Sequence, residues 1–279
     1  MSTYDEWLGR TETQTDVATA APAHLLAATL DRQEIDFADR DVLPPAWHWL
    51  YFLRGVRTSD LGADGHPPKG GLLPAVPLPR RMRAGGSFEF HRPLRIGERI
   101  ERRSTIEEIS EKGGASGPLV FVKVRYEVFA SGELAIMEGE DIVYREAATR
   151  GMAAPVLHDV GSPPGASVFA TNPVLLFRVS ALTFNSHRIH YDTEYAKEEE
   201  LYPGRVVHGP LLALLMLEHL RQSRDPATLR SSRYRAVAPT FCGERVTVTD
   251  AEPKHGTLRV VARNGAGQEA VQGEALYDQ

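Results

Sequence analysis

The chain repeats itself, and this limits its possible folds more than anything in its composition. Residues 93–100 read PLRIGERI and residues 239–246 read PTFCGERV. Both fit Pro-x-x-x-Gly-Glu-Arg followed by Ile or Val, 146 positions apart. Aromatic, strand-like residues precede each copy: Phe88 and Phe90 in the first, Tyr234 in the second. A second matching pair follows in the same order, AIMEGEDIVY at 135–144 and AVQGEALY at 270–277. Self-similarity at a fixed offset marks one architectural unit used twice. The 279 residues hold two units of roughly 130–150 residues comfortably.

Each half carries an apolar helix candidate ahead of its strands. In the second half it is GPLLALLMLEHLRQ, with Pro210 suited to a first helical position and leucines on every side of the axis. In the first half it is PPAWHWLYFL, opened by Pro44 and Pro45. The Gly/Pro-rich stretch GADGHPPKGGLLPAVPLP that follows reads as a long loop. FVKVRYEVFASGELAIMEGEDIVYRE alternates and turns at Ser131-Gly132, and TLRVVARNGAGQEAVQGEALY does the same around Asn264-Gly265. An antiparallel sheet wrapped around one apolar helix is the hot-dog arrangement. The expected fold is therefore α+β, a double hot-dog. Residues 1–150 form the first repeat, 151–170 a linker and 171–279 the second repeat.

Composition removes several function classes. Apolar residues are 42% and charged residues 25%, which excludes a mainly disordered or collagen-like chain. A net charge of −5 argues against a wholesale basic surface, so no nucleic-acid partner is expected. The single cysteine, Cys242, excludes an intrachain disulfide and a cysteine-based zinc site, and fits a cytoplasmic location. MSTYDEWLGRTETQTD has early acids and no apolar core, so it does not read as a signal peptide. The longest apolar run, 210–217, is too short to span a bilayer, and no membrane partner is expected.

One half holds the polar cluster. Asn185, His187, Arg188, His190, Tyr191 and Asp192 lie within eight positions, between a predicted strand FRVSALTF and the apolar helix. The stretch ahead of the first-half helix, DRQEIDFADRDVLPP, has acids but no histidine. One working site per chain follows, with the degenerate first half shaping the space that receives substrate.

These residues resemble the MaoC-like (R)-specific enoyl-CoA hydratases and 3-hydroxyacyl-thioester dehydratases of the double hot-dog type. The mesaconyl- and itaconyl-CoA hydratases and the type 2 thioester dehydratases look nearest. That family's motif, Asp-x-Asn-Pro-(Leu/Ile/Val)-His, five residues, then Ala or Ser, is met here by Asn185-Ser186-His187-Arg188-Ile189-His190 and Ala196. Its Val-His-Gly at the helix start is Val207-His208-Gly209. LPPAWHWLYFL and PLPRRMRAGG extend the likeness through the first half. Where the family has a catalytic Asp this chain has Asn185, and an amide does not exchange protons in the working pH range. The resemblance thus implies that His190 takes more of the proton transfer.

Water addition to a C=C conjugated with a thioester needs a base for water, a partner for the developing enolate oxygen and a proton for Cα. An imidazole suits the first task, so His190 is the expected base, with Asn185 holding the water. The Gly209 N–H, at the positive end of the helix, is the expected oxyanion donor. Val207 and His208 line or anchor this turn. Asp192 reads either as an orienter of His190 or as the cap of TEYAKEEE. Arg80, Arg81 and Arg83, placed in the long loop, read either as coenzyme A phosphate forks or as a solvated basic loop. Arg188 is a candidate for the far carboxylate of a dicarboxylic acyl group. No metal and no cofactor are expected beyond the coenzyme A carried by the substrate, and a homodimer is expected from the exposed sheet edges. Two rival readings stay open: an acyl-thioester hydrolase, and a thioester-binding module without chemistry.

Overall fold

Gly97 and Gly243, the repeated glycines, both take left-handed backbone conformations, with φ of +88° and +100°. The glutamate after each is buried and does the same work in both halves. Glu98 Oε2 accepts from the Arg95 N–H and Glu244 Oε1 from the Phe241 N–H, each at 2.9 Å and each three residues back. The motif therefore encodes a turn: a glycine for the conformation and a carboxylate for the amide that the turn would otherwise strand.

The computed structural model describes residues 3–33, 36–114, 117–157, 161, 163–253 and 256–278. Its strands are β1 (Thr11–Val17), β2 (Arg80–Phe90), β3 (Arg99–Gly114), β4 (Gly117–Ala130), β5 (Glu133–Arg145), β6 (Ser167–Ala170), β7 (Leu229–Ala236), β8 (Arg245–Asp250), β9 (Thr257–Arg263) and β10 (Glu269–Tyr277). The helices are α1 (Ala20–Thr29), α2 (Pro173–Leu182), α3 (Thr193–Glu198) and α4 (Gly209–Ser223). All ten strands join one sheet in the order β1-β3-β4-β5-β2-β7-β10-β9-β8-β6. Every pairing is antiparallel, and the halves meet at β2 and β7, where Gly86 faces Tyr234. The order is a palindrome of the repeat, β1-β3-β4-β5-β2 mirrored by β6-β8-β9-β10-β7, as a double hot-dog requires.

Four expectations need correction. The first-half helix over PPAWHWLYFL is only a 3-10 turn, Trp47–Leu50. The chain enters it as its counterpart enters α4: Leu43 N–H donates to Leu94 O and Val207 N–H to Thr240 O, both at 2.8 Å. It then diverges because Ala46 is left-handed and three aromatic tips are tied to separate partners. Trp47 Nε1 donates to Glu218, Trp49 Nε1 to Glu138 and the Tyr51 hydroxyl to Thr19 O. Those polar tips, on residues of modest helix propensity, override a regular helix.

The second correction is FRVSALTF, whose first six residues end α2 instead of forming a strand; Pro173 opens that helix and the Asn172 side chain caps it. Third, Arg80, Arg81 and Arg83 lie in β2 and not in a loop. Fourth, the segment read as linker ends early, because Ser167–Ala170 pairs with β8 as β6. Residues 158–160 and 162 of that segment lie outside the described residues.

The apolar helix of the second half is α4, with Leu211 through Leu220 buried against β8, β9, β10 and β2. No helix among the described residues is long and apolar enough to cross a membrane.

Candidate active site

The polar cluster is built by a run of local devices. At the end of α2, Phe184 takes φ +48°, its N–H donates to Ala181 O, and the Asn185 N–H reaches Ser180 O at 2.8 Å. This is the helix-stop geometry that glycine usually serves. Asn185 Oδ1 then accepts from the His187 N–H at 3.0 Å, closing a turn. A 3-10 turn, Arg188–His190, brings the base candidate inward. Asp192 caps α3, its carboxylate accepting from the Tyr195 N–H at 3.0 Å, which decides between the two readings of that residue.

His190 is buried, and its Nδ1 lies 2.8 Å from Val206 O. A carbonyl only accepts, so Nδ1 carries the proton and Nε2 keeps its lone pair. Burial pushes the ring's pKa down to about 4, against the opposing pull of the Val206 carbonyl. His190 is thus a neutral base at pH 7.

The His208 ring stacks on His190, with centroids 3.7 Å apart. Its Nε2 lies 2.9 Å from Ser180 Oγ, and burial holds it well below the usual imidazole range. His187 meets His190 edge-on at 5.5 Å, and burial, reinforced by His66 and His190, pushes it down to about 2.

Gly209, next to His208, supplies the first amide of α4, which has no carbonyl one turn earlier to donate to. A Cβ added there would meet nothing within 4 Å, so the glycine borders open space. Val207 is buried beneath it.

Two further members come from the first half, from the Gly/Pro-rich stretch that reads as a long loop. In the stretch GADGHPP, Asp64 Oδ2 lies 2.9 Å from His66 Nδ1, and Asp64 Oδ1 accepts from the His66 N–H at 2.9 Å. The His66 ring sits 4.0 Å from that of His187. Burial alone would raise the Asp64 carboxyl, but the His66 hydrogen bonds hold it below the usual range. An Asp-x-His within a glycine-rich loop was the one available signal.

The arginines are not equivalent. Arg80 is buried in an ion pair with Glu200 at 2.5 Å and stacks over Tyr202, so it is no free phosphate fork. Arg83 is tied to Glu140 at 2.6 Å. Arg188 is held by Asp192 at 2.7 Å, stacks on Tyr195 and donates to Ala63 O at 3.1 Å, so it works as a strut for the first-half loop. Arg81 is half-buried, and its charge reaches both His187 and Lys69.

Asp64, His66 and His187 offer donor atoms within 4.8 Å of one another, the nearest approach to a metal triad among the described residues. Asp64 and His66 already share a hydrogen bond, and Arg81 and Lys69 place positive charge alongside. We assign no metal to them.

Two open clefts, of about 630 and about 430 Å3, lie elsewhere, lined by residues such as Thr15, Arg99 and Phe129, or Arg40, Arg92 and Arg95. Neither touches His190. They are charged basins near the tip of the β4–β5 hairpin, lined by carboxylates and arginines and with no imidazole in their lining. The imidazole cluster is therefore the candidate site.

A family profile described as hydroxyacyl-thioester dehydratase type 2 matches residues 46–242. Mesaconyl-C(4)-CoA hydratase of Chloroflexus aurantiacus is 46% identical over 239 residues, covering 84% of each chain. Among solved structures, a MaoC-like dehydratase from Phytophthora capsici superposes with a TM-score of 0.74 at 19% identity, covering 100% of this chain and 98% of that one. A Mycobacterium tuberculosis protein with a double hot-dog fold superposes at 0.53 with 14% identity, over 97% of this chain and 96% of that one. The two structures bear on the fold alone, and they agree with the palindromic sheet.

Proposed function

The chain belongs to the hydroxyacyl-thioester dehydratase type 2 family, and on that premise we propose how it adds water to a 2-enoyl-CoA thioester and removes it from the 3-hydroxyacyl-CoA. In the hydration direction, His190 Nε2 takes a proton from water as the water oxygen bonds to Cβ. The C=C electron pair moves onto the thioester as an enolate, and its oxygen is met by the Gly209 N–H at the positive end of α4. One such donor is worth about 3–4 kcal/mol of barrier. Asn185 Oδ1 is engaged by the His187 N–H, so its NH2 is the group left to hold water. Protonation at Cα completes the addition.

The observation that carries this reading is the state of His190. It is neutral, with Nδ1 fixed and Nε2 free, and it is stacked on the residue just before the first amide of α4. The experiment is loss of the conjugated enoyl-thioester absorbance on a panel of enoyl-CoA substrates. His190→Ala should lower turnover by about 10²–10⁴-fold without moving the melting temperature by more than a few degrees. Full turnover by that variant would remove His190 as the base.

The acyl group we propose is a branched C5 dicarboxylic unit such as mesaconyl-CoA, with itaconyl-CoA the second compound to test. The 46% identity to a mesaconyl-C(4)-CoA hydratase supports it. Arg81 is the cation assigned to the far carboxylate, since its charge already reaches His187. A homodimer is proposed because Val174, Phe177 and Phe184 form an exposed apolar face at α2. A cytoplasmic location is proposed from the single cysteine, and no cofactor is proposed beyond the substrate's coenzyme A.

A further inference from the structure

Hydration moves two protons, one off water and one onto Cα, and the second-half cluster supplies a single free base. Asn185 holds a turn through its Oδ1, and its amide neither gains nor loses a proton near pH 7. His208 is stacked on His190 and hydrogen-bonded to Ser180. His187 is wedged between His66 and His190.

The first-half loop is fastened to this cluster along its length. The Arg188 N–H donates to Asp64 O at 2.9 Å, Ser186 Oγ to Gly65 O at 2.5 Å, and Arg188 Nη1 to Ala63 O at 3.1 Å. Gly65 has φ +84°, and a Cβ on it would fall 2.0 Å from Ser186 O. Only glycine permits so close a seating. This seating holds His66 4.0 Å from His187, with Asp64 fixing its Nδ1 side at 2.9 Å and leaving Nε2 as the outward nitrogen. The two side chains keep 20% and 28% of their surface exposed, so the pair borders solvent beside the cluster and is not sealed in the core.

We propose that His66 is a second catalytic residue of this site, the acid that protonates Cα, with Asp64 as its positioning residue. The proposal rests on the hydratase reading. As the water oxygen bonds to Cβ, His190 Nε2 takes the water proton and the π pair moves towards the thioester oxygen. The electron pair then returns to form the Cα–H bond with the proton of His66 Nε2–H. His66 is left neutral with Nδ1–H still on Asp64, His190 is left protonated, and both reset by exchange with solvent. Dehydration runs the same transfers backwards.

The test uses the full chain and the enoyl-CoA on which the wild type is most active. If the wild type hydrates no enoyl-CoA, the hydratase reading fails and this proposal with it. Otherwise, His66→Gln should lower kcat by about 10²–10⁴-fold with KM within a few-fold. In D2O it should also slow exchange of the Cα hydrogen of product, and added imidazole should restore turnover to the smaller variant His66→Ala. Asp64→Asn should lower kcat about tenfold or more at unchanged KM. His66→Gln turning over within threefold of wild type, or retaining wild-type Cα exchange, overturns the assignment. So does loss of wild-type activity on exhaustive chelation with recovery on added Zn2+, which would make the three side chains metal ligands. If His66→Gln does not fold, the imidazole arm decides: a folded His66→Ala that imidazole fails to rescue overturns the proposal.

Discussion

Three imidazoles packed together and kept neutral are a liability in acid. His187, His190 and His208 are all held below the ordinary value of 6.5, chiefly by burial. Their unfolded counterparts take up a proton as pH falls through 6.5 and the folded ones do not. The stability they allow is therefore fully present above pH 6.5 and is lost as pH drops towards 4. At about 1.4 kcal/mol per pH unit for each ring, His187 and His190 together cost about 4 kcal/mol at pH 5, and His208 acts in the same direction. That is a large share of the stability of an ordinary domain, though not all of it. Urea midpoints at pH 7 and pH 5 should differ accordingly, and His187→Gln should shrink the difference. Activity should follow the same burial: kcat/KM should show no loss from protonation of the proposed base between neutrality and about pH 5, because His190 stays deprotonated until about 4. A fall with a midpoint near 6.5 would contradict the buried state of His190.

Two glycines separate structure from chemistry among the elements. At Gly209 an added methyl meets no protein atom, and alanine suits a helix start, so Gly209→Ala should leave the melting temperature unchanged or raised while cutting kcat/KM at least tenfold. Gly65→Ala should act oppositely in cause. It breaks the seating on Ser186, lowers the melting temperature and removes activity together. Thermal melts beside initial rates distinguish the two. The elements that sequence made legible are those whose demands are local. The turns at Gly97-Glu98 and Gly243-Glu244 need a left-handed residue and a carboxylate three places after an amide. The hairpin at Ser131-Gly132 needs two left-handed residues in succession. At Asn264-Gly265 the loop runs longer, and Gly267 is the residue that turns left-handed. α2 escaped because FRVSALTF is a short apolar run in which strand and helix periods cannot be told apart. Asp64 and His66 escaped because the cluster residues they meet, Arg188 and His187, lie more than 120 positions away.

The whole molecule is one sheet with its site stitched across the repeat. β2 bonds to β7 at the seam, Trp47 reaches Glu218 across 171 positions, and the 62–66 loop lies on 186–188. The halves should unfold together. All three tryptophans, Trp7, Trp47 and Trp49, are in the first half, whereas far-ultraviolet circular dichroism reads both. Coincident urea transitions by the two signals are expected, and separated ones would show two independent units.

The missing helix at residues 44–50 bears on how such a chain arose. In a pair of identical subunits, any substitution that unwinds the central helix of one unwinds it in the other as well. Fusing the copies end to end freed each to drift on its own. One has a leucine-clad helix that begins beside the stacked pair His190 and His208. The other has a 3-10 turn in that place and a loop that lies on its sibling's cluster. Asymmetry of that kind is closed to a pair of identical subunits, and here it lets one half carry the helix and the other the loop that lies against it.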